Sequence, residues 1–212
     1  MKIDELFELI CPESYKNTKL ELIELPEIEA LNGRSPMAFS VLGDEERKLY
    51  IKLSDKTDFV GSSESIKIYN TEVDSYYSII KEKDVSGLHD IVMKKLRKYC
   101  NSVPAGYVYL SHMLLHELGH YQQYIDREKN VFLYTSWCEE EERANFSAQQ
   151  VVYNQMQSRI DKHIPPFNAN KSEKVILERL SKEYRNIPKE KEADCFAYKH
   201  LKQAIDTLIV HL

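Results

Sequence analysis

The sequence predicts an α+β fold in which a small N-terminal antiparallel sheet is followed by a helical region. Short runs of β-branched and aromatic residues, separated by turn residues, recur up to about residue 70. From Val73 onward, the apolar residues instead recur at helical spacing. Strands that precede helices in this way favour a sheet that is packed on one side by helices.

The N-terminal part contains one short helix and four candidate strands. The helix is expected at residues 4–10, and the strands at 19–25, 37–42, 48–53 and 65–69. A hairpin loop at residues 43–46, which begins with Gly43, would join the second strand to the third. We expect these strands to form one antiparallel sheet.

The rest of the chain contains six candidate helices. They are expected at residues 73–83, 87–100, 106–126, 139–160, 171–185 and 189–210. The chain has 212 residues, which is enough for one substantial core and short for two. With no low-complexity stretch or clear linker, we predict a single domain over 1–212, strand-rich over 1–70 and helical over 71–212.

Composition limits the classes of function. The net charge is −5, and no Lys/Arg block stands clear of neighbouring acids, so we expect no nucleic-acid partner. No apolar run approaches the roughly 20 residues of a membrane span, and the acidic N-terminus lacks a signal-peptide apolar region. The four cysteines are widely spaced, as is typical of free thiols in a reducing compartment. We therefore expect a cytoplasmic protein that does not bind membranes.

The segment His116-Glu117-Leu118-Gly119-His120 carries the strongest chemical signal. Two histidines four residues apart on a helix lie one turn apart and about 40° around its axis, so both imidazoles can reach one metal ion. A carboxylate between them, here Glu117, can act as a general base on a water molecule at that ion. The alternative interpretation is a buried helix with two hydrogen-bonded histidines.

Two segments could supply a third metal ligand. Each places a Glu first, an Ala three residues later and an Asn or Asp four residues later, beginning at Glu141 or at Glu190. Residues four apart share a helix face, so the Glu can bind the ion while the second residue, such as Asp194, holds a ligand histidine through its other ring nitrogen. Each segment is expected to begin a helix.

The sequence favours Glu190 over Glu141, and another acid or a Cys stays open. The acidic run at 139–142 can also be explained as solvated charge at a helix N-terminus, where the macrodipole favours it. The segment of Glu190 instead continues into an apolar stripe that should bury this face of its helix, formed by Ala193, Phe196, Ala197, Leu201, Ala204 and Leu208.

These motifs resemble a known group of enzymes. The His-Glu-Leu-Gly-His helix followed by Glu-x-x-Ala-Asp looks like the gluzincins, which are zincin metallopeptidases with a Glu as third ligand. Within that group, the form Glu-x-Glu-Ala-Asp-x-Phe-Ala is similar to the ImmA/IrrE-type peptidases. The resemblance covers about residues 106–201.

The resemblance implies a minimal zincin-like fold and a zinc-dependent hydrolase that cleaves a protein or peptide substrate, such as a regulatory protein. It implies Zn²⁺ bound by His116, His120 and Glu190, with Glu117 as the base. One alternative is a non-catalytic regulatory or binding protein on a zincin scaffold, against which the intact Glu117 argues. A deformylase-like amidase is a second alternative, but the Gly-Cys-Leu-Ser ligand segment of those enzymes is absent from the sequence.

Overall fold

The computed structural model describes residues 1–23, 37–43, 63–84, 87–162 and 169–212, together with the single residues 46, 48 and 52. Within this part, seven α-helices and a small sheet have defined bounds. The helices are α1 (Ile3–Ile10), α2 (Val73–Lys83), α3 (Leu88–Leu96), α4 (Ala105–Ile125), α5 (Val131–Asp161), α6 (Ala169–Asn186) and α7 (Pro188–His211). Two short 3₁₀ helices lie at Glu13–Tyr15 and Arg97–Tyr99.

The described strands form a mixed sheet. Strands β1 (Leu20–Ile23), β2 (Ala38–Ser40) and β3 (Ser65–Tyr69) lie in the order β1-β3-β2. The α+β class is therefore confirmed, and β2 pairs with β3 in antiparallel fashion as expected. The prediction of a fully antiparallel sheet is wrong, because β1 runs parallel to β3. The chain between these two strands is long enough for the crossover that a parallel pair needs.

The fourth predicted strand, at 48–53, falls mostly outside the described residues. Of that segment the structure describes Lys48 and Lys52, and both are helical, so the strand prediction is wrong at these two positions. The predicted hairpin loop at 43–46 also lies largely outside the described residues, with Gly43 and Glu46 as the exceptions.

Helix α5 begins well before its predicted start at residue 139. The side chain of Asn130 precedes the first turn, and its Oδ1 accepts a hydrogen bond from the backbone N–H of Leu133 at 3.0 Å. This is the geometry of a helix N-cap. The acidic run at 139–142 therefore lies inside α5, so the expectation that Glu141 begins a helix is wrong. Glu190, by contrast, lies in the first turn of α7, as expected.

Helix α4 is the central element of the molecule. Every residue from Gly106 to Gly119 is buried, as is typical of a helix that is covered on all sides. The helix packs against α7, α2, α1 and the sheet strand β2. The main hydrophobic core joins the N-terminal region to the helices through fully buried residues such as Leu6, Ile66, Leu114 and Leu201.

The contact between α4 and α7 is unusually close at one point. A Cβ atom placed on Gly119 would lie 2.7 Å from the Cα of Ala193 and 2.9 Å from its carbonyl oxygen. The two helices can therefore approach to this distance only with glycine at position 119. This crossing brings the first turn of α7 against the His116–His120 turn of α4.

None of the described helices has both the length and the apolar character that crossing a membrane would require.

Candidate metal centre

Three side chains converge at the crossing of α4 and α7. His116 and His120 lie one turn apart on α4, with their Nε2 atoms 3.1 Å apart. From α7, Glu190 places Oε2 3.1 Å from His116 Nε2 and Oε1 3.7 Å from His120 Nε2. His116 and Glu190 are buried, at 2% and 3% exposure. Within the described part of the chain, they form the one group of three or more His, Cys, Asp or Glu side chains whose ligand atoms all lie within 4.8 Å.

The separations of these atoms are compatible with one bound metal ion, with the Glu190 carboxylate facing His116 through Oε2 and His120 through Oε1. With metal–ligand bonds of about 2.0–2.2 Å and tetrahedral angles, two ligand atoms of one zinc lie about 3.3 Å apart. The three observed separations, 3.1, 3.1 and 3.7 Å, lie on both sides of this value. Two imidazoles and one carboxylate are also the donor set of catalytic zinc sites that keep a fourth position for water.

The other ring nitrogens are held by acceptors. Asp194 Oδ1 lies 3.1 Å from His116 Nδ1, and Gln123 Oε1 lies 2.9 Å from His120 Nδ1. The amide nitrogen of Gln123 donates to the carbonyl oxygen of Lys189 at 2.6 Å, so its Oε1 is left to accept. Both Nδ1 atoms therefore carry hydrogen, which is how such partners fix metal-binding histidines.

The Nε2 atom of each histidine consequently keeps a lone pair, and the two Nε2 atoms lie close together. Arg185 Nη1 lies 3.3 Å from His116 Nε2, and because a guanidinium can only donate, this contact agrees with a lone pair on that atom. Two nitrogen lone pairs 3.1 Å apart repel each other unless a positive charge, either a proton or a metal ion, lies between them. The arrangement thus favours a bound cation.

The carboxylates at this group stay ionised. Burial opposes ionisation of Glu190, but when no metal is bound and the histidines carry a proton on Nε2, hydrogen bonds from His116 and His120 outweigh burial and hold the pKa of its carboxyl far below the usual range. Burial likewise opposes ionisation of Asp194, yet the hydrogen bond with His116 and the charge of Arg185 lower its pKa. For His116, burial alone would lower the pKa, and the hydrogen bonds with Asp194 and Glu190 raise it instead. The anionic partners therefore stabilise positive charge at the histidines.

Glu117 is positioned by the sheet. The backbone N–H of Phe39, on β2, donates to Glu117 Oε2 at 2.7 Å. Strand β2 lies at one edge of the described sheet, against α4. The Oε1 atom accepts no hydrogen bond from the described residues, so the buried carboxylate keeps one oxygen available for a proton.

Two residues at the end of α6 also contact the group. Tyr184 Oη donates to Glu190 Oε1 at 2.8 Å. Arg185 approaches Glu190 Oε2 at 3.6 Å through Nη1, and its Nη2 donates to Asp194 Oδ1. The sequence motifs do not include these two residues, nor Gln123. The available signals were the position of Tyr184 and Arg185 just before Pro188, which starts the helix of Glu190, and the i+3 spacing of Gln123 from His120.

The structure does not bring Glu141 into this group. It lies on α5, and its neighbour Glu142 instead forms an ion pair with the Lys189 ammonium. His112 lies one turn before His116 and is fully buried, but it is not part of the group either. Its Nε2 lies 3.7 Å from Asp194 Oδ1.

Comparison of the chain with protein-family models, curated proteins and solved structures finds no match.

Proposed function

We propose that this protein is a zinc-dependent metallopeptidase, a hydrolase that cleaves peptide bonds in a protein or peptide substrate. The observation that carries the proposal is the convergence of His116 Nε2, His120 Nε2 and the Glu190 carboxylate within 4.8 Å. The same turn of α4 supplies Glu117, whose carboxylate is buried and has one oxygen without a described hydrogen bond. This combination matches the gluzincin ligand set that the sequence motif resembles.

Each residue then has a distinct task. His116, His120 and Glu190 would hold the zinc, which when bound acts as a Lewis acid toward a peptide carbonyl and toward water. Glu117 Oε1 would take a proton from the attacking water and deliver it to the leaving amine. The Phe39 N–H fixes the other carboxylate oxygen, so that Oε1 keeps its orientation.

The surrounding residues hold the ligands in place. Asp194 and Gln123 orient the two imidazoles through their Nδ1 atoms. Tyr184 donates its hydroxyl proton to Glu190 Oε1 and so holds the third ligand in place. We also propose a cytoplasmic location, which the four free cysteine thiols support.

Peptide cleavage with a base variant tests this proposal. Zinc-loaded protein is incubated with a library of peptides of mixed sequence, and new termini are detected by mass spectrometry. Glu117→Gln should keep the zinc, because Gln can still accept from Phe39 N–H, and should lower the cleavage rate at least about 10²-fold. Glu141→Gln makes the same chemical change outside the site and should cleave at the wild-type rate.

Equal cleavage by the wild type and Glu117→Gln would remove Glu117 from the mechanism. A wild-type protein that binds zinc and cleaves no peptide would favour the non-catalytic regulatory or binding protein instead.

A further inference from the structure

A cavity of about 700 Å³ opens between α3 and α6. Its volume lies in the range of pockets that bind small ligands or side chains. The charged residues in its wall are Asp90, Lys94 and Lys95 from α3 and Glu178, Lys182 and Arg185 from α6. Arg185 also contacts the metal group described above, and no other residue of this wall belongs to that site.

The wall of this cavity has an excess of positive charge. It carries four basic side chains and two acidic ones, and of the basic ones Arg185 is already paired with Asp194 and Glu190. Asp90 is already hydrogen-bonded to His89 Nδ1 at 3.2 Å. None of the three lysines forms an ion pair with an acid among the described residues, although the whole chain has a net charge of −5. The cavity therefore favours an anionic ligand.

Arg185 joins this cavity to the candidate metal centre. Its side chain is 9% exposed, and its Nη1 lies 3.3 Å from His116 Nε2. The Arg185 side chain therefore lines the cavity and also contacts the candidate metal ligands. A peptide whose scissile bond lies at the metal could place a side chain in the cavity at the same time.

We propose that this cavity binds carboxylate side chains of the substrate, so that the enzyme prefers acidic peptide segments near the cleaved bond. This inference rests on the proposed peptidase function and names its substrate class. The mobile ammonium groups of Lys94, Lys95 and Lys182 can pair with such carboxylates, whereas the Arg185 guanidinium already pairs with Asp194 and Glu190.

Calorimetry with a defined probe tests the cavity without requiring cleavage. Zinc-loaded protein is titrated with a blocked tetraglutamate peptide and with a blocked tetraglutamine peptide of the same length. Tetraglutamate should bind the wild type, more weakly at higher salt, and tetraglutamine should not bind measurably. The Lys94→Glu/Lys182→Glu variant should bind tetraglutamate at least about tenfold more weakly, because two attractive charges become repulsive.

Lys202→Glu provides the matched control. Lys202 is exposed on α7 and lies outside the cavity wall, so this charge reversal should leave tetraglutamate binding unchanged. Lys94 and Lys182 are also exposed, and the milder Lys94→Gln/Lys182→Gln variant serves if the charge reversal disturbs folding, which circular dichroism reports. The milder variant should weaken binding in the same direction.

Absence of tetraglutamate binding, or equal affinity in the wild type and both lysine variants, would overturn the proposal. Binding of inorganic phosphate through the lysines, without binding of tetraglutamate, would also overturn the proposal. The cavity would then be a site for small anions. If the protein binds tetraglutamate through the lysines but cleaves no peptide, the cavity is supported as a site for acidic peptides. That result would contradict the peptidase function but not the cavity.

Discussion

His112 is buried beside the metal group without a hydrogen bond to either ring nitrogen from the described residues. Burial lowers the pKa of this imidazole to about 3, well below its ordinary value of 6.5. The residue therefore stays neutral in the folded protein over the physiological pH range. It lies one turn before His116, and its Nε2 is 3.7 Å from Asp194 Oδ1.

This buried histidine predicts a loss of stability in mild acid. As pH falls below about 6.5, His112 is protonated in the unfolded chain but not in the folded one, so protons favour unfolding until pH approaches 3. Between pH 8 and pH 5, the free energy of unfolding should fall by on the order of 2 kcal/mol through this residue. Urea denaturation at each pH, in the presence of a chelator, measures this change in unfolding free energy.

His112→Met is the matched variant, since its side chain is similar in volume and does not titrate. The variant should lose less unfolding free energy than the wild type over the same interval. The lowered pKa values of Glu190 and Asp194 change the unfolding free energy only at more acidic pH, below the ordinary carboxyl values near 4. The raised pKa of His116 contributes in both proteins, so it does not distinguish them. An identical pH dependence in the two proteins would contradict a buried neutral His112.

Gln123 is predicted to control zinc affinity through His120. Gln123→Leu removes the acceptor that lies 2.9 Å from His120 Nδ1, so the imidazole loses its fixed orientation. Zinc affinity should fall roughly 10- to 100-fold, as is typical for partners of metal ligands. Competition with a chelating dye measures the affinity. Gln122→Leu changes the adjacent residue, which does not contact a ligand histidine, and should bind zinc normally; equal affinities in both variants would contradict this role.

At the scale of elements, the crossing of α4 and α7 determines whether the third ligand reaches the histidines. Gly119→Ala should destabilise the fold by about 1–3 kcal/mol, as overpacking does, although alanine is the better helix former by about 1 kcal/mol. The new Cβ would meet the backbone of Ala193 at 2.7 Å, and that backbone cannot move without moving Glu190. Thermal or urea unfolding measures the change.

Gly106→Ala, on the same helix, provides the comparison. There the nearest atoms are the Cβ and Cγ of Tyr77, at 3.1 Å, so the overlap is smaller than the 2.7 Å approach to the Ala193 backbone. The loss should therefore be smaller than for Gly119→Ala. A Gly119→Ala protein that is more stable than the wild type would show that the helices are not held at this distance.

Local sequence patterns predicted the helices better than they predicted how the strands pair. The helix of Val73–Lys83 matches its prediction, because helical periodicity and helix ends are encoded in neighbouring residues. The start of α5 was missed because the cap at Asn130 outweighs the acidic run that follows. The parallel pairing of β1 with β3 depends on a long connection, which no local pattern records.

At the scale of the whole molecule, the site is assembled from segments that are far apart in sequence. The trio of His116, Glu117 and His120 could be predicted because one helical turn brings these residues together. The choice between Glu141 and Glu190 could not be made from spacing, since it depends on which helix packs against α4. Phe39 joins the site only through a tertiary contact, so no sequence motif indicated it, and Arg185 was marked only by its position just before Pro188.

The central claim is that His116, His120 and Glu190 form one zinc site, and zinc content with affinity tests it most directly. The wild type, dialysed against zinc and then buffer, should retain about one Zn²⁺ per chain. His116→Ala and Glu190→Ala should lose it, because each leaves the ion with only two protein ligands. Glu141→Ala, checked for native helicity like the others, should bind zinc as the wild type does. A wild-type protein that binds no zinc, or a Glu190→Ala variant that binds it with unchanged affinity, would contradict the account.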